Sequence, residues 1–158
     1  MSYQTFSDKI VSHLLDYYAI RQMPSNKDLK EAGLKTTLPR LRILAILEEG
    51  KKRHFSAEDV YKTLLDANED IAFATVYRVL TQFENAGLVL RHNFEGGRSV
   101  FELDRGEHHD HMVCAKCNKV TEFFDAEIEE KQKQIAKKYN FELQDHSLYL
   151  YGICENCQ

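Results

Sequence analysis

No apolar run in the 158-residue sequence approaches the roughly 18 residues that a membrane-spanning helix needs, and no secretory apolar segment stands at its start. Cysteine never occurs outside Cys-x-x-Cys pairs, and there are four in all. These absences exclude a helical membrane protein and speak against a disulfide-built secreted scaffold, so the expected compartment is a reducing cytoplasm, with no membrane partner. The sequence has no His-Glu-x-x-His helix, no nucleophile elbow and no glycine-rich phosphate loop. The expectation is therefore a protein that is not an enzyme and has no small organic substrate. Low-complexity linkers and internal repeats are missing too, apart from the Cys-x-x-Cys pair, so any join between domains is short. Neither sign of charge is in large excess. A net charge of −4 argues against indiscriminate nucleic-acid binding. The balance is uneven along the chain: residues 1–94 carry 13 basic and 12 acidic side chains, and the remainder carries 8 and 13. Residues 27–53 hold 8 basic against 4 acidic. A nucleic-acid contact fits the first half and divalent cations fit the acidic second half.

What is present begins with residues 7–20, read as an amphipathic helix capped by Ser7, with Ile10, Val11, Leu14, Leu15 and Tyr18 on one side and Pro24 as its stop. Met23-Pro24-Ser25 has the look of a second translation start, which makes residues 1–22 an accessory extension or a mis-assigned start. From Asn26 a short helix runs to Gly33. Thr37 then caps a helix with Pro39 in its first turn and Leu41, Leu44, Ala45 and Leu47 on its buried side. Gly50 ends it and Lys51-Lys52-Arg53-His54 form a basic loop. Ser56 and Asp59 open the next helix as a capping box, with Val60, Leu64 and Leu65 inward. The helix of about Ala74 to Ala86 places Val76, Val79, Leu80 and Phe83 on one face, and Tyr77, Arg78, Thr81 and Asn85 on the other. Strands over Leu88–His92 and Arg98–Leu103 follow, joined at Glu95-Gly96-Gly97. Three helices and a hairpin make a winged helix-turn-helix whose last helix enters the major groove. By pattern alone Tyr77 and Arg78 could equally be ordinary solvent-facing residues.

The second half opens on His108-His109-Asp110-His111-Met112-Val113-Cys114-Ala115-Lys116-Cys117, answered by Cys154-Glu155-Asn156-Cys157. Short strands at Met112-Val113 and Val120–Phe124 flank the first knuckle. Asp125 caps a helix to about Asn140 with Ile128, Ile135 and Tyr139 as a stripe and Glu127–Lys131 and Glu129–Lys133 as surface pairs. Phe141–Ile153 alternates as a final strand. This is a small α/β module with an exposed sheet edge, which invites a second copy, so a homodimer is expected, with a tetramer left open. Cys114, Cys117, Cys154 and Cys157 can close a tetrahedral Zn(II)–S₄ site; two disulfides or a thioredoxin-like redox pair are the competing readings. His109 and His111 alternate to one side of a strand and can meet Glu102, while His108 and Asp110 face the other side. Imidazole with carboxylate suits Fe(II), and also Mn(II), Co(II) or Zn(II). Spacing alone leaves His54 a surface histidine.

Gly33-Leu34-Lys35-Thr36-Thr37-Leu38-Pro39-Arg40, Ser56-Ala57-Glu58-Asp59-Val60-Tyr61, Ala74-Thr75-Val76-Tyr77-Arg78-Val79-Leu80 and His92-Asn93-Phe94-Glu95-Gly96-Gly97 resemble successive signatures of the ferric uptake regulator family, and the likeness runs from about Lys27 to Cys157. The resemblance implies an α+β protein with a winged-helix DNA-binding domain at 23–104 and a metal-binding dimerisation domain at 105–158. It implies a dimeric, metal-dependent repressor of iron uptake genes on palindromic AT-rich double-stranded DNA. It places Tyr77 on thymines, Arg78 on the backbone, Lys35 in the minor groove and Arg40 on a phosphate, with Thr75 in the same DNA-binding set. It moves His54 into a regulatory site with Glu102, His109, His111 and Glu122. His108, Asp110, Glu129 and His146 match a third site found in many relatives, although exposed carboxylates beside histidine are often only solvated. Glu102 and Glu122 stand where peroxide-sensing relatives usually have aspartate, which favours regulatory Fe(II). A zinc- or peroxide-sensing repressor is the alternative within the family, and a metal-buffering protein or metalloenzyme the alternative outside it.

Overall fold

The structure is a computed structural model that describes residues 25–158 except Lys51 and Gly96. The helix expected over residues 7–20 lies outside the described residues. Two compact units divide the chain, one ending at Asp104 and the other comprising Arg105–Gln158.

The first unit contains α1 (Ser25–Glu31), α2 (Leu38–Glu49), α3 (Ala57–Asp66), α4 (Phe73–Asn85) and a hairpin of β1 (Val89–Phe94) and β2 (Arg98–Leu103). Pro39 sits in the first turn of α2, where its missing N–H costs nothing; Thr37 is the N-cap, but its side chain makes no capping bond. Ser56 does cap α3: its Oγ accepts from Asp59 N at 3.1 Å and the Asp59 carboxylate accepts from Ser56 N at 3.0 Å. Helix α4 ends where Gly87 takes φ +69°, which lets Leu88 N–H reach back to Phe83 O at 2.9 Å. One core collects Leu29, Leu41, Ile43, Leu44, Leu47, Val60, Leu64, Val76, Val79, Leu80, Phe83 and Phe101. Each such fully buried Leu or Phe contributes about 1.5–3 kcal/mol. The expected inward face of α4 is therefore the observed one. Two expectations shift: Ile43 rather than Ala45 is buried on α2, and Leu65 is 51% exposed because the buried stripe of α3 runs through Val60 and Leu64.

The hairpin pairs Val89 with Leu103 through Phe94 with Arg98. Phe55 adds itself to the other edge of β2 as an isolated antiparallel bridge to Phe101. The phenyl ring of Phe55 closes over Gly50, where a Cβ would stand 2.2 Å from its Cζ and 2.7 Å from Ile46 O.

The second unit is a three-stranded sheet in the order β4 (Val120–Phe123), β3 (Asp110–Cys114), β5 (Tyr149–Gly152), with β4 antiparallel and β5 parallel to β3. Helix α5 (Ala126–Lys138) makes the crossover, capped by Asp125, which accepts from Glu127 N at 2.9 Å and Ile128 N at 3.1 Å. The final strand is shorter than the alternation over Phe141–Ile153 suggested. Both edges of β3 are already taken, so only Tyr149–Gly152 finds a partner within this sheet. The apolar stripe of α5 also stays outward, with Ile135 and Tyr139 exposed.

Gly50→Ala should destabilise the protein by about 1–3 kcal/mol, because the added methyl has no space between Phe55 and Ile46 O. Urea unfolding measures it; an unchanged midpoint would show that Phe55 does not hold this position.

Candidate metal centres and nucleic-acid interface

Four cysteines converge from two knuckles of the second unit. The sulfurs lie within 4.8 Å of one another, with Cys117 Sγ to Cys154 Sγ at 3.6 Å. A tetrahedral zinc with bonds of about 2.3 Å sets sulfurs roughly 3.8 Å apart, whereas a disulfide needs about 2.05 Å. All four cysteines are free thiols. Cys154 N–H donates to Cys114 Sγ at 3.4 Å, and this amide, followed by that of Cys117, lowers the Cys114 thiol to about 6 against the effect of burial. Hydrogen bonding with the thiols of Cys154 and then Cys117 pushes Cys157 up to about 12. Four crowded sulfurs thus resist becoming thiolates together, and a central dication is the charge that lets them. The chemistry and size of the cage fit zinc. Lys116 Nζ, donating to Cys157 O at 2.7 Å, ties the first knuckle to the second.

His108, Asp110, Glu129 and His146 form another cluster within the same unit, their donor atoms also within 4.8 Å of one another. Glu129 Oε1 lies 3.2 Å from His108 Nε2 and 3.1 Å from His146 Nε2. Burial would raise the Glu129 carboxyl, but the His146 hydrogen bond and the charges of His146, His108 and Lys133 leave it below the usual range. Asp110 is 1% exposed and neither carboxylate oxygen has a hydrogen-bond partner; His108 Nε2 is 3.6 Å away. A buried carboxylate without a hydrogen bond is costly, and a cation among these four side chains would satisfy it. Glu129 is thus drawn to two histidines rather than acting as a plain surface partner of Lys133.

The remaining expected ligands fall in two sets, one per unit. In the first unit the Phe55–Phe101 bridge seats His54 beside Glu102, with Nε2 to Oε2 at 3.5 Å. His92, absent from the sequence-based set, lies at 2.6 Å from Glu102 Oε1. Its signal was the hairpin register: Leu90 pairs with Glu102, so His92, two residues on, shares the face of that carboxylate. In the second unit the rings of His109 and His111 are 4.9 Å apart and His111 is the cross-strand partner of Glu122. His109 Nδ1 lies 3.0 Å from Glu107 O, so Nδ1 is the donor and Nε2 is left as the ligand atom.

On α4, Tyr77 and Arg78 are exposed and Thr75 is half-buried. Arg91 of β1 donates to Tyr77 Oη at 2.9 Å and to Ser99 Oγ at 3.0 Å, and its guanidinium lies 5.7 Å from the centre of the Tyr77 ring. The wing therefore holds the Tyr77 side chain. Arg40 is engaged inside the unit: Nε and Nη2 donate to Gln82 Oε1 at 3.3 and 2.8 Å, and Nη1 to Lys35 O at 2.6 Å. It joins the loop that displays Lys35 to α4. Sequence reasoning missed Arg91 and Gln82, because their contacts with Tyr77 and Arg40 join segments 14 and 42 residues apart.

A winged helix-turn-helix joined to a unit with a four-thiol cage and a histidine–carboxylate cluster defines the class, a metal-binding, DNA-binding regulator. Residues 31–151 match the model of the "Ferric uptake regulator family". A ferric uptake regulation protein of Legionella pneumophila is 61% identical over 136 residues, covering 86% of this chain and 100% of that one. The crystal structure of the Vibrio cholerae ferric uptake regulator superposes with a TM-score of 0.78 at 60% identity, covering 82% of this chain and 98% of that one. A structure of the Pseudomonas aeruginosa regulator with manganese gives 0.71 at 57%, covering 84% and 99%. The chain belongs to the ferric uptake regulator family. It is a transcription regulator and not an enzyme, acting in the metal-responsive control of iron uptake.

Cys117→Ser and Cys154→Ser should each strip zinc from the cage. Changes outside the ligand shell already alter metal affinity by about 10–100-fold, so losing a ligand should exceed that. Elemental analysis of purified protein reads it; a full equivalent of zinc retained in both variants would remove the cage from the metal sites.

Proposed function

We propose that the chain is a metal-activated repressor that binds a palindromic AT-rich operator as a dimer when Fe(II), or Mn(II) or Co(II) in its place, joins the two units. The observation that carries this reading is the seat of His54 against Glu102 beneath the wing, 3.5 Å apart, in the unit that also displays Tyr77. His109, His111 and Glu122 supply complementary donors in the second unit. The bound ion supplies the charge that draws the two sets of donors together. Ligands from both units then limit their relative angle, which selects the arrangement in which paired reading helices fit two half-sites. The likeness to the manganese-bound Pseudomonas aeruginosa regulator supports a divalent first-row metal in this role. Zinc in the four-thiol cage is structural and closes the C-terminus onto β3. The His108, Asp110, Glu129 and His146 cluster is a further cation site.

Residues 23–104 act as the DNA-binding domain and 105–158 as the metal-binding dimerisation domain, with 1–22 an extension. Ile135, Tyr139, Phe141, Leu150 and Ile153 are exposed apolar side chains of the second unit, and a second copy of this unit is their natural cover. No described helix is long and apolar enough to cross a membrane, and a repressor acts where the chromosome is, in the cytoplasm. On DNA, Tyr77 and Arg78 face the major groove with Thr75 at the start of the same helix, and Lys35 reaches the adjacent minor groove. Arg40 orients Lys35 and α4 as well as lying near a phosphate.

Anaerobic titration with Fe(II) or Mn(II), followed by operator binding, tests the reading: binding should appear only with metal. His109→Ala should abolish it while the thiolate zinc stays; loss of both would mean the two metal roles are confused. Tyr77→Ala should weaken operator binding by about 1–3 kcal/mol with metal affinity unchanged. Equal operator affinity in the variant would take Tyr77 off the reading surface.

A further inference from the structure

We propose that the winged-helix unit holds a metal site of its own, formed by His54, His92 and Glu102, which captures a divalent first-row cation before the donors of the second unit complete its coordination. This rests on the reading of His54 and Glu102 as regulatory ligands and adds His92 to them as a third. The three side chains come from three separate segments of one unit: the loop after α2, β1 and β2. Their donor atoms lie within 4.8 Å of one another. Donors on one cation with bonds of about 2.1 Å stand roughly 3.0–3.5 Å apart. His54 Nε2 to Glu102 Oε2, at 3.5 Å, has that spacing already; His92 Nε2 to Glu102 Oε1, at 2.6 Å, is a hydrogen bond that a cation would replace with a small opening.

Two constraints hold the site in shape. The Phe55–Phe101 bridge places His54, and the His92 ring stacks on Phe94 at 6.1 Å between centroids and 11° between planes. The His54 and His92 rings stand 6.1 Å apart at 63°, aimed at the same carboxylate rather than stacked on each other. Two imidazoles and one carboxylate are the donor set that suits Fe(II), Mn(II) or Co(II) with coordination positions left open. An open set of three binds loosely enough to exchange and leaves room for further ligands, as an entry site requires. Arg91, the neighbour of His92, points to the opposite face of the strand and grips Tyr77, so the capture site and the reading side chain share one hairpin.

The test uses the full chain with its thiolate cage loaded with zinc, and Co(II) as the probe, followed anaerobically by visible absorption and equilibrium dialysis. The background is His109→Ala/His111→Ala, which removes the imidazoles of the second unit. To it is added either His92→Ala or His92→Gln; the latter keeps a hydrogen-bonding group beside Glu102 but is a poor ligand. The His108 cluster is the same in all three chains and cancels in the difference. The background should take up one equivalent of Co(II) more than either His92 variant, or bind it at least 10-fold more tightly. Equal zinc content shows that the second unit is kept, and an unchanged urea-unfolding midpoint in all three shows that the winged-helix unit is kept. Equal Co(II) uptake with and without His92 overturns the proposal, as does uptake lost in His92→Ala but kept in His92→Gln, which would make His92 a positioning residue only. The regulatory reading is judged separately, by whether the wild-type chain needs metal to bind its operator.

Discussion

Two backbone hydrogen bonds, Phe55 N to Phe101 O at 2.9 Å and Phe101 N to Phe55 O at 2.8 Å, fasten the loop after α2 to the free edge of the wing. Antiparallel pairing at 55 and 101 puts 54 beside 102, and so brings an imidazole to a carboxylate from which it is separated by most of the winged-helix unit. The same bridge carries the Phe55 ring onto Gly50 and sets Ser56 at the start of α3, where it closes the capping box with Asp59. Core, wing and the His54–Glu102 pair are thereby tied at one point. A side chain at residue 50 would disturb all three.

The hairpin works with two faces. His92 and Glu102 occupy one, Arg91 and Ser99 the other, and the second face meets Tyr77 of α4. The His92–Glu102 pair and the Arg91–Tyr77 pair are thus separated by the thickness of one strand pair. Arg40 plays a matching part on the far side of α4, where its guanidinium bridges Gln82 and the Lys35 carbonyl. Both arginines are planar forks whose spread donors reach more than one element at once, a geometry that the single ammonium of a lysine does not provide.

The second unit solves a different problem. With a short sheet and no fully buried side chain on α5, it has little apolar burial to hold it together. Its ordered features gather instead around polar groups that call for a cation: four sulfurs too close to ionise together, and the Asp110 carboxylate buried without a hydrogen bond. Under the proposed reading such a unit is completed by metal and by a second copy, and its exposed Ile135, Tyr139 and Phe141 fit that description.

Periodicity and local chemistry were enough for much of this. The buried face of α4, the Ser56–Asp59 capping box, the glycine stops, the two-stranded wing and the Cys-x-x-Cys knuckles all depend on residues near one another in the chain, and all were legible in it. The extent of the last strand was not, because alternation over Phe141–Ile153 says nothing about whether a neighbouring edge is free. His92 as a partner of Glu102, Arg91 as the holder of Tyr77 and Gln82 as the anchor of Arg40 were equally hidden, since each contact spans from 10 to 42 residues and is made by side chains with many alternative partners. What the sequence alone determined was the kind of element and the chemistry of its donors, through spacing and capping. Only the tertiary structure decided which donors meet, because that depends on strand register and on a single bridge across the edge of the wing.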